Sequence, residues 1–133
     1  MAHTMPSQGF AMPLLPLILL ALALLAPAAQ AKSACVFEGT LQGKPIKDCS
    51  EIDLPVPVAE YRLQCEKHVD AFKRLGGEIR AYVAPACPKP ALAGCKGAMG
   101  TPGTVYYYLA SPTELANKQA ACAKYGGSWL SGS

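Results

Sequence analysis

The chain has 133 residues, six cysteines and a formal net charge of +3. Charges of both signs are interspersed from Lys44 to Arg80 with no basic run, so electrostatics gives no case for a nucleic-acid partner. The apolar fraction of 51% is inflated by the N-terminus, and the remainder of the chain is long enough for one domain and not two.

Leu14 to Ala26 is an uncharged apolar run. At about 13 residues it is too short for a comfortable membrane span and right for the core of a secretory signal. Pro27 breaks it, and Ala29-Gln30-Ala31 supplies the small-x-small pattern of a cleavage site. Residues 1–31 are therefore expected to be a removable signal peptide. Residues 32–133 are expected to be a single disulfide-stabilised domain, periplasmic or secreted and not membrane-bound after cleavage. Met1 to Pro13 lacks the usual Lys or Arg, which leaves an uncleaved anchor as the competing reading. A lipoprotein is disfavoured, because Lys32 stands where lipid attachment at Cys35 wants an apolar residue.

Cys35 to Leu41 and Lys44 to Cys49 flank Gln42-Gly43 and read as a β-hairpin, with Pro45 confining the second strand to an edge or delaying its start. Pro57 suits a first helical turn. Val58, Tyr61, Cys65, Val69 and Phe72 then form one apolar stripe at helical spacing, with Leu63 off it. Gly76-Gly77 should stop this helix. Glu78 to Ala84 reads as a strand, Pro85 to Gly103 as a long irregular stretch, and Val105 to Leu109 as a strand. Ser111-Pro112-Thr113-Glu114 carries the signature of a capped helix start. Leu115, Cys122 and Tyr125 should mark that helix's buried side, Gly126-Gly127 its end, and Ser128 to Leu130 a last short strand, with Trp129 in the core. The run from Lys73 to Ile79 echoes that from Ala123 to Trp129, which supports two helix-to-strand units; capping rules alone would generate so short an echo.

Cys35, Cys49, Cys65, Cys87, Cys95 and Cys122 all lie beyond the expected cut. An even number in a short exported chain reads as three disulfides. Spacing favours Cys35–Cys49 across the hairpin, Cys87–Cys95 closing the irregular stretch and Cys65–Cys122 joining the helices. Cys49–Cys65 with Cys35–Cys122 is nearly as plausible. Without a Cys-x-x-Cys, and with His68 as the one histidine beyond the leader, neither a zinc site nor a redox dithiol is expected, and no cofactor is implied.

Catalysis at His68 would need a nucleophile and an acid converging on it, and Glu66 and Asp70 point to other sides of the helix. Glu38, Asp48, Glu51 and Asp53 cluster around the hairpin and read as a solvated face. In a strand, Tyr107 shares one side with Val105 and Leu109, expected to be core, while Tyr106 and Tyr108 take the other. Those two rings either pack beneath a helix or loop or form a displayed surface. With Tyr82 they are the best candidates for a binding face.

The ending Cys122-Ala123-Lys124-Tyr125-Gly126-Gly127-Ser128-Trp129 resembles the Cys-x-x-x-Gly-Gly-x-Trp endings of small exported bacterial proteins of unknown function. It also resembles the Cys-x-x-x-Gly-Gly element of haemolysin-type periplasmic domains, although Ala116-Asn117-Lys118 replaces the usual Asn-Pro-Ala lead-in. The resemblance implies an exported bacterial setting and no activity.

These elements predict an α+β fold: a mainly antiparallel sheet of four or five strands, two helices on one face, in the order β-β-α-β-β-α-β. The function they favour is a non-enzymatic protein-binding or inhibitory module of the immunity type, with a protein partner. A structural envelope accessory protein and a small hydrolase are the alternatives.

Overall fold

The computed structural model describes residues 33–132, so the expected leader lies outside the described residues. Strands β1 (Ser33–Leu41) and β2 (Lys44–Ile52) form the hairpin. Gln42 and Gly43 turn it with positive φ at both positions, 51° and 74°, the twist a two-residue hairpin turn requires. Helix α1 (Val58–Arg74) comes next, then β3 (Glu78–Ala84), β4 (Ala93–Lys96), a short 3-10 turn, β5 (Gly103–Tyr107), helix α2 (Pro112–Lys124) and β6 (Ser128–Ser131). At the start of α2 the Glu114 N–H donates to Ser111 Oγ (3.2 Å), and the Ser111 N–H donates to Glu114 Oε2 (2.7 Å). The capping box is complete.

The six strands form one antiparallel sheet in the order β3-β1-β2-β5-β4-β6. The molecule is a small disulfide-stabilised α+β fold with one strand more than expected. That strand, β4, lies inside the stretch read as irregular. Its sequence, Ala-Gly-Cys-Lys, has almost no β propensity of its own. It is a strand because β5 and β6 pair with it on either side. Pro45 sits at the outer end of β2, opposite Thr40 of β1, while β5 reaches β2 only from Asp48 to Ile52. The strand is central where it needs every N–H and an edge where proline stands.

The short sequence echo extends into a structural repeat. Both β1-β2-α1-β3 and β4-β5-α2-β6 are a hairpin, a helix and a strand that returns to the hairpin's outer side. Both helices end alike. The Gly77 N–H donates to the Phe72 carbonyl and the Gly127 N–H to the Cys122 carbonyl, with Gly76 and Gly126 at φ 82° and 74°, the left-handed cap that glycine adopts without strain. Both units also bind helix to first strand by a disulfide, Cys35–Cys65 in one and Cys95–Cys122 in the other.

The third bond, Cys49–Cys87, joins β2 to the connection between β3 and β4. This connectivity replaces the pairing favoured from spacing, and the pleat explains why. Cys49 stands opposite Val36, not Cys35, so Cys35 and Cys49 project to opposite sides of the sheet. Cys87 lies on the side of Cys49, away from Cys95, which faces α2. Cys65 and Cys122 are held over different halves of the sheet by their own strand partners.

Both helices pack on the face bearing Cys35 and Cys95. α1 lies over β3 and β1, where Cys35, Phe37, Tyr61, Cys65 and Ile79 are buried, with Val69 and Phe72 packed against them. Val58 belonged to the predicted stripe but is 54% exposed, since the helix start overhangs the sheet, and Leu63 is exposed as its off-stripe position implies. On α2 Cys122 is buried, but Tyr125, expected on the buried side, is 52% exposed. It stands at the C-cap, where the chain leaves the helix for Gly126-Gly127 and β6. Trp129 is half-buried and stacks on Tyr107 at 5.9 Å between centroids.

Candidate binding face

The strand registers place one row of residues across the back of the sheet, away from the helices: Tyr82 of β3, Val36 of β1, Cys49 of β2, Tyr106 of β5 and Gly94 of β4. Val36 and Cys49 at its centre are fully buried, although no helix covers this side. Their cover is the segment after β3. Cys87 bonds to Cys49, and its N–H donates to Glu51 Oε2 at 3.0 Å. Tyr108 Oη–H donates to the Pro88 carbonyl at 2.7 Å. A Cβ on Gly94 would come within 3.1 Å of the Tyr106 ring, so glycine there lets that ring lie over β4.

Tyr106 and Tyr108 are therefore half-buried packing partners of the Ala34–Val36–Cys49–Cys87 cluster. Burial, reinforced by the neighbouring Tyr106, Glu51, Tyr82 and Asp48, pushes the Tyr108 hydroxyl up to about 12, and Lys47 lies 5.5 Å from its ring centroid. Expectation fails at two positions of β5 and its extension: Val105 and Leu109, read as core, are 36% and 48% exposed, while Tyr107 between them is half-buried against Trp129. Tyr106 and Tyr108 follow the packed one of their two readings. The reason is tertiary: the helices stand over the outer strands and leave β2 and β5 between them, while Cys87 ties a loop across the back. Of the three candidate rings, Tyr82 is the open one, at 44% exposure, with Arg80 beside it and ion-paired to Glu38.

Of the four carboxylates read as a solvated face, Asp53 is exposed and the other three take different roles. Glu38 pairs with Arg80, and Glu51 holds the Cys87 amide. Asp48 falls on the helix side in register with Tyr107. Burial raises its pKa above the ordinary aspartate value, and Lys118 of α2 draws it partly back. The same lysine lies 4.3 Å from the Tyr107 ring centroid. Alternation could have found Asp48, since it shares a pleat face with Ile46 and Ile52. His68 is exposed; its Nδ1–H donates to the Gln64 carbonyl at 2.8 Å and its ring tilts against Phe37. Two surface recesses accompany these features. One of about 720 Å3 opens at the hairpin end among Glu38, Ile46, Lys73, Ile79 and Leu109, and one of about 270 Å3 lies between α1 and β3.

Among the described residues, no group of three His, Cys, Asp or Glu side chains could hold a metal ion, and no helix is long and apolar enough to cross a membrane. Three disulfides suit an oxidising extracellular or periplasmic environment. Comparison with family models, curated proteins and solved structures finds nothing similar to this chain.

Proposed function

We propose that this chain is an exported, non-enzymatic protein-binding module of the inhibitory or immunity type, acting in the periplasm or outside the cell. Its binding surface is the back of the sheet around Tyr82, Arg80 and Leu92. The observation that carries this reading is the Cys49–Cys87 bond, which fixes a loop and two tyrosines behind an exposed third. Rigid aromatic side chains on a cross-linked support bring contact area at small entropic cost. Leu92, 46% exposed and flanked by the buried Ala91 and Ala93, adds an apolar contact on a held backbone.

Affinity capture from an envelope extract, with the oxidised protein as bait, tests this. Tyr82→Ser should lose the captured partner, and Lys118→Ala, on the helix side, should keep it. The opposite pattern would move the interface to the groove between the helices, and equal recovery by both would remove the proposed face.

A further inference from the structure

We propose that the free edge of β3 pairs with the β3 of a second copy, antiparallel and two-fold symmetric about Ala81, so that one sheet runs through a homodimer. This goes beyond the partner reading above and does not depend on it.

The two outer strands, β3 and β6, occupy equivalent places in the two structural units. An outer strand presents a row of unpaired N–H and C=O groups, which proteins blunt by shortness, proline, a bulge or outward charge. β6 is blunted by length, with four residues. β3 keeps seven, contains no proline, and runs in unbroken register with β1 from Glu78 opposite Thr40 to Ala84 opposite Ala34. Its one cationic side chain, Arg80, lies on the back of the sheet, ion-paired to Glu38 of β1 and otherwise open to solvent.

The strand is also complementary to itself. A two-fold axis at Ala81 sets Ile79 against Val83 on the helix side and Arg80 against Tyr82 on the back, with Glu78 against Ala84 and the small Ala81 side chains meeting at the axis. Apolar side chains meet apolar ones, guanidinium meets phenol, and no like charges are opposed. Cross-strand pairs of these kinds stabilise a ladder, and an interface complementary to itself is what a two-fold dimer needs. Moving the axis to Arg80 would oppose two cations; moving it to Tyr82 would shorten the ladder. The recess between α1 and β3, lined by Arg62, Glu66, Ala81 and Val83, leaves space beside the strand. The dimer would join two Tyr82 surfaces into one.

The test is cross-linking at the axis. Directly opposed antiparallel residues have Cα atoms about 4.5–5.5 Å apart, a separation a disulfide spans. Ala81→Cys, in oxidised protein produced from the full chain and checked by mass for its three native bonds, should form a covalent dimer. Glu78→Cys places its two thiols about 20 Å apart along the ladder, so its dimer should form roughly tenfold more slowly. Equal rates, or a dimer from Glu78→Cys alone, would overturn the proposal. Unaltered protein supplies a second measurement should Ala81→Cys misfold. Its sedimentation mass should double between micromolar and millimolar concentration while amide exchange across Glu78–Ala84 slows. A monomer throughout, or a dimer whose β3 amides exchange unchanged, is incompatible with edge pairing. A Leu92→Ser protein that loses its captured partner yet, combined with Ala81→Cys, still cross-links separates this interface from the partner surface.

Discussion

Asp48 shares a pleat face with Ile46, Ser50 and Ile52, beneath the gap between two helices, and there its carboxylate gives up hydration for a distant lysine. Because burial raises its folded pKa above the unfolded value, the neutral form is favoured by folding. Its favourable contribution is complete below the ordinary aspartate pKa and is lost as pH rises through the raised folded value. Asp48→Asn should therefore raise the thermal midpoint at pH 7 relative to the parent and leave little difference at pH 3. Thermal melts at the two pH values check this, and an equal or lower midpoint at pH 7 would refute it. Gly127 shows a steric constraint at the same scale: a Cβ there would stand 2.6 Å from Cys95 Sγ and 2.8 Å from Cys122 Sγ. The glycine that looked like a helix stop is also the space in which a disulfide sits.

At the scale of elements, the helices were the most legible part of the chain. Ser111, Pro112 and Glu114 announce α2 because a cap is a local device, complete within four residues and independent of what the helix packs against. Replacing Ser111 with Ala should cost about 1 kcal/mol, read as a lower urea midpoint with unchanged slope. The lowered pKa of Glu114 should then rise only in part, because its largest cause is the Ser111 backbone N–H, which alanine retains, and only the smaller side-chain contribution is lost. Strands were legible where side chains alternate, as in β3, and illegible where they do not. β4 is made by its neighbours: Cys95 pairs with Val105 on one side and Trp129 on the other. No window of sequence around Ala93–Lys96 contains that information. The buried stripe of α1 was visible from Tyr61 to Phe72 but not at Val58, because spacing gives the direction of a face and not how far the sheet beneath it extends.

The whole molecule is two ββαβ units joined side by side through β2 and β5, with one disulfide inside each and a third tying the connection between them to the back of the sheet. These bonds therefore differ in consequence. In the chain-entropy picture, the loop closed by Cys49–Cys87 is worth roughly 4 kcal/mol, and it also covers Val36 and Cys49. The double change Cys49→Ser with Cys87→Ser should lower stability by about that amount and speed amide exchange in residues 85–92, while the bonds to α1 and α2 persist. Hydrogen exchange with disulfide mapping checks this; a loop that stays protected would show that Tyr108 and Glu51 hold it unaided.

The amino-acid sequence alone determined the local devices: turn glycines, helix caps, the alternation of β3 and the oxidation of six thiols. Each depends on residues within a few positions of one another or on simple parity. Tertiary structure decided which cysteines meet, which side of β5 is covered, and that Ala93–Lys96 is a strand at all. Those outcomes arise from the pleat, which sends adjacent residues to opposite faces, and from how far each helix reaches across the sheet. Both are properties of strands brought together from distant parts of the chain.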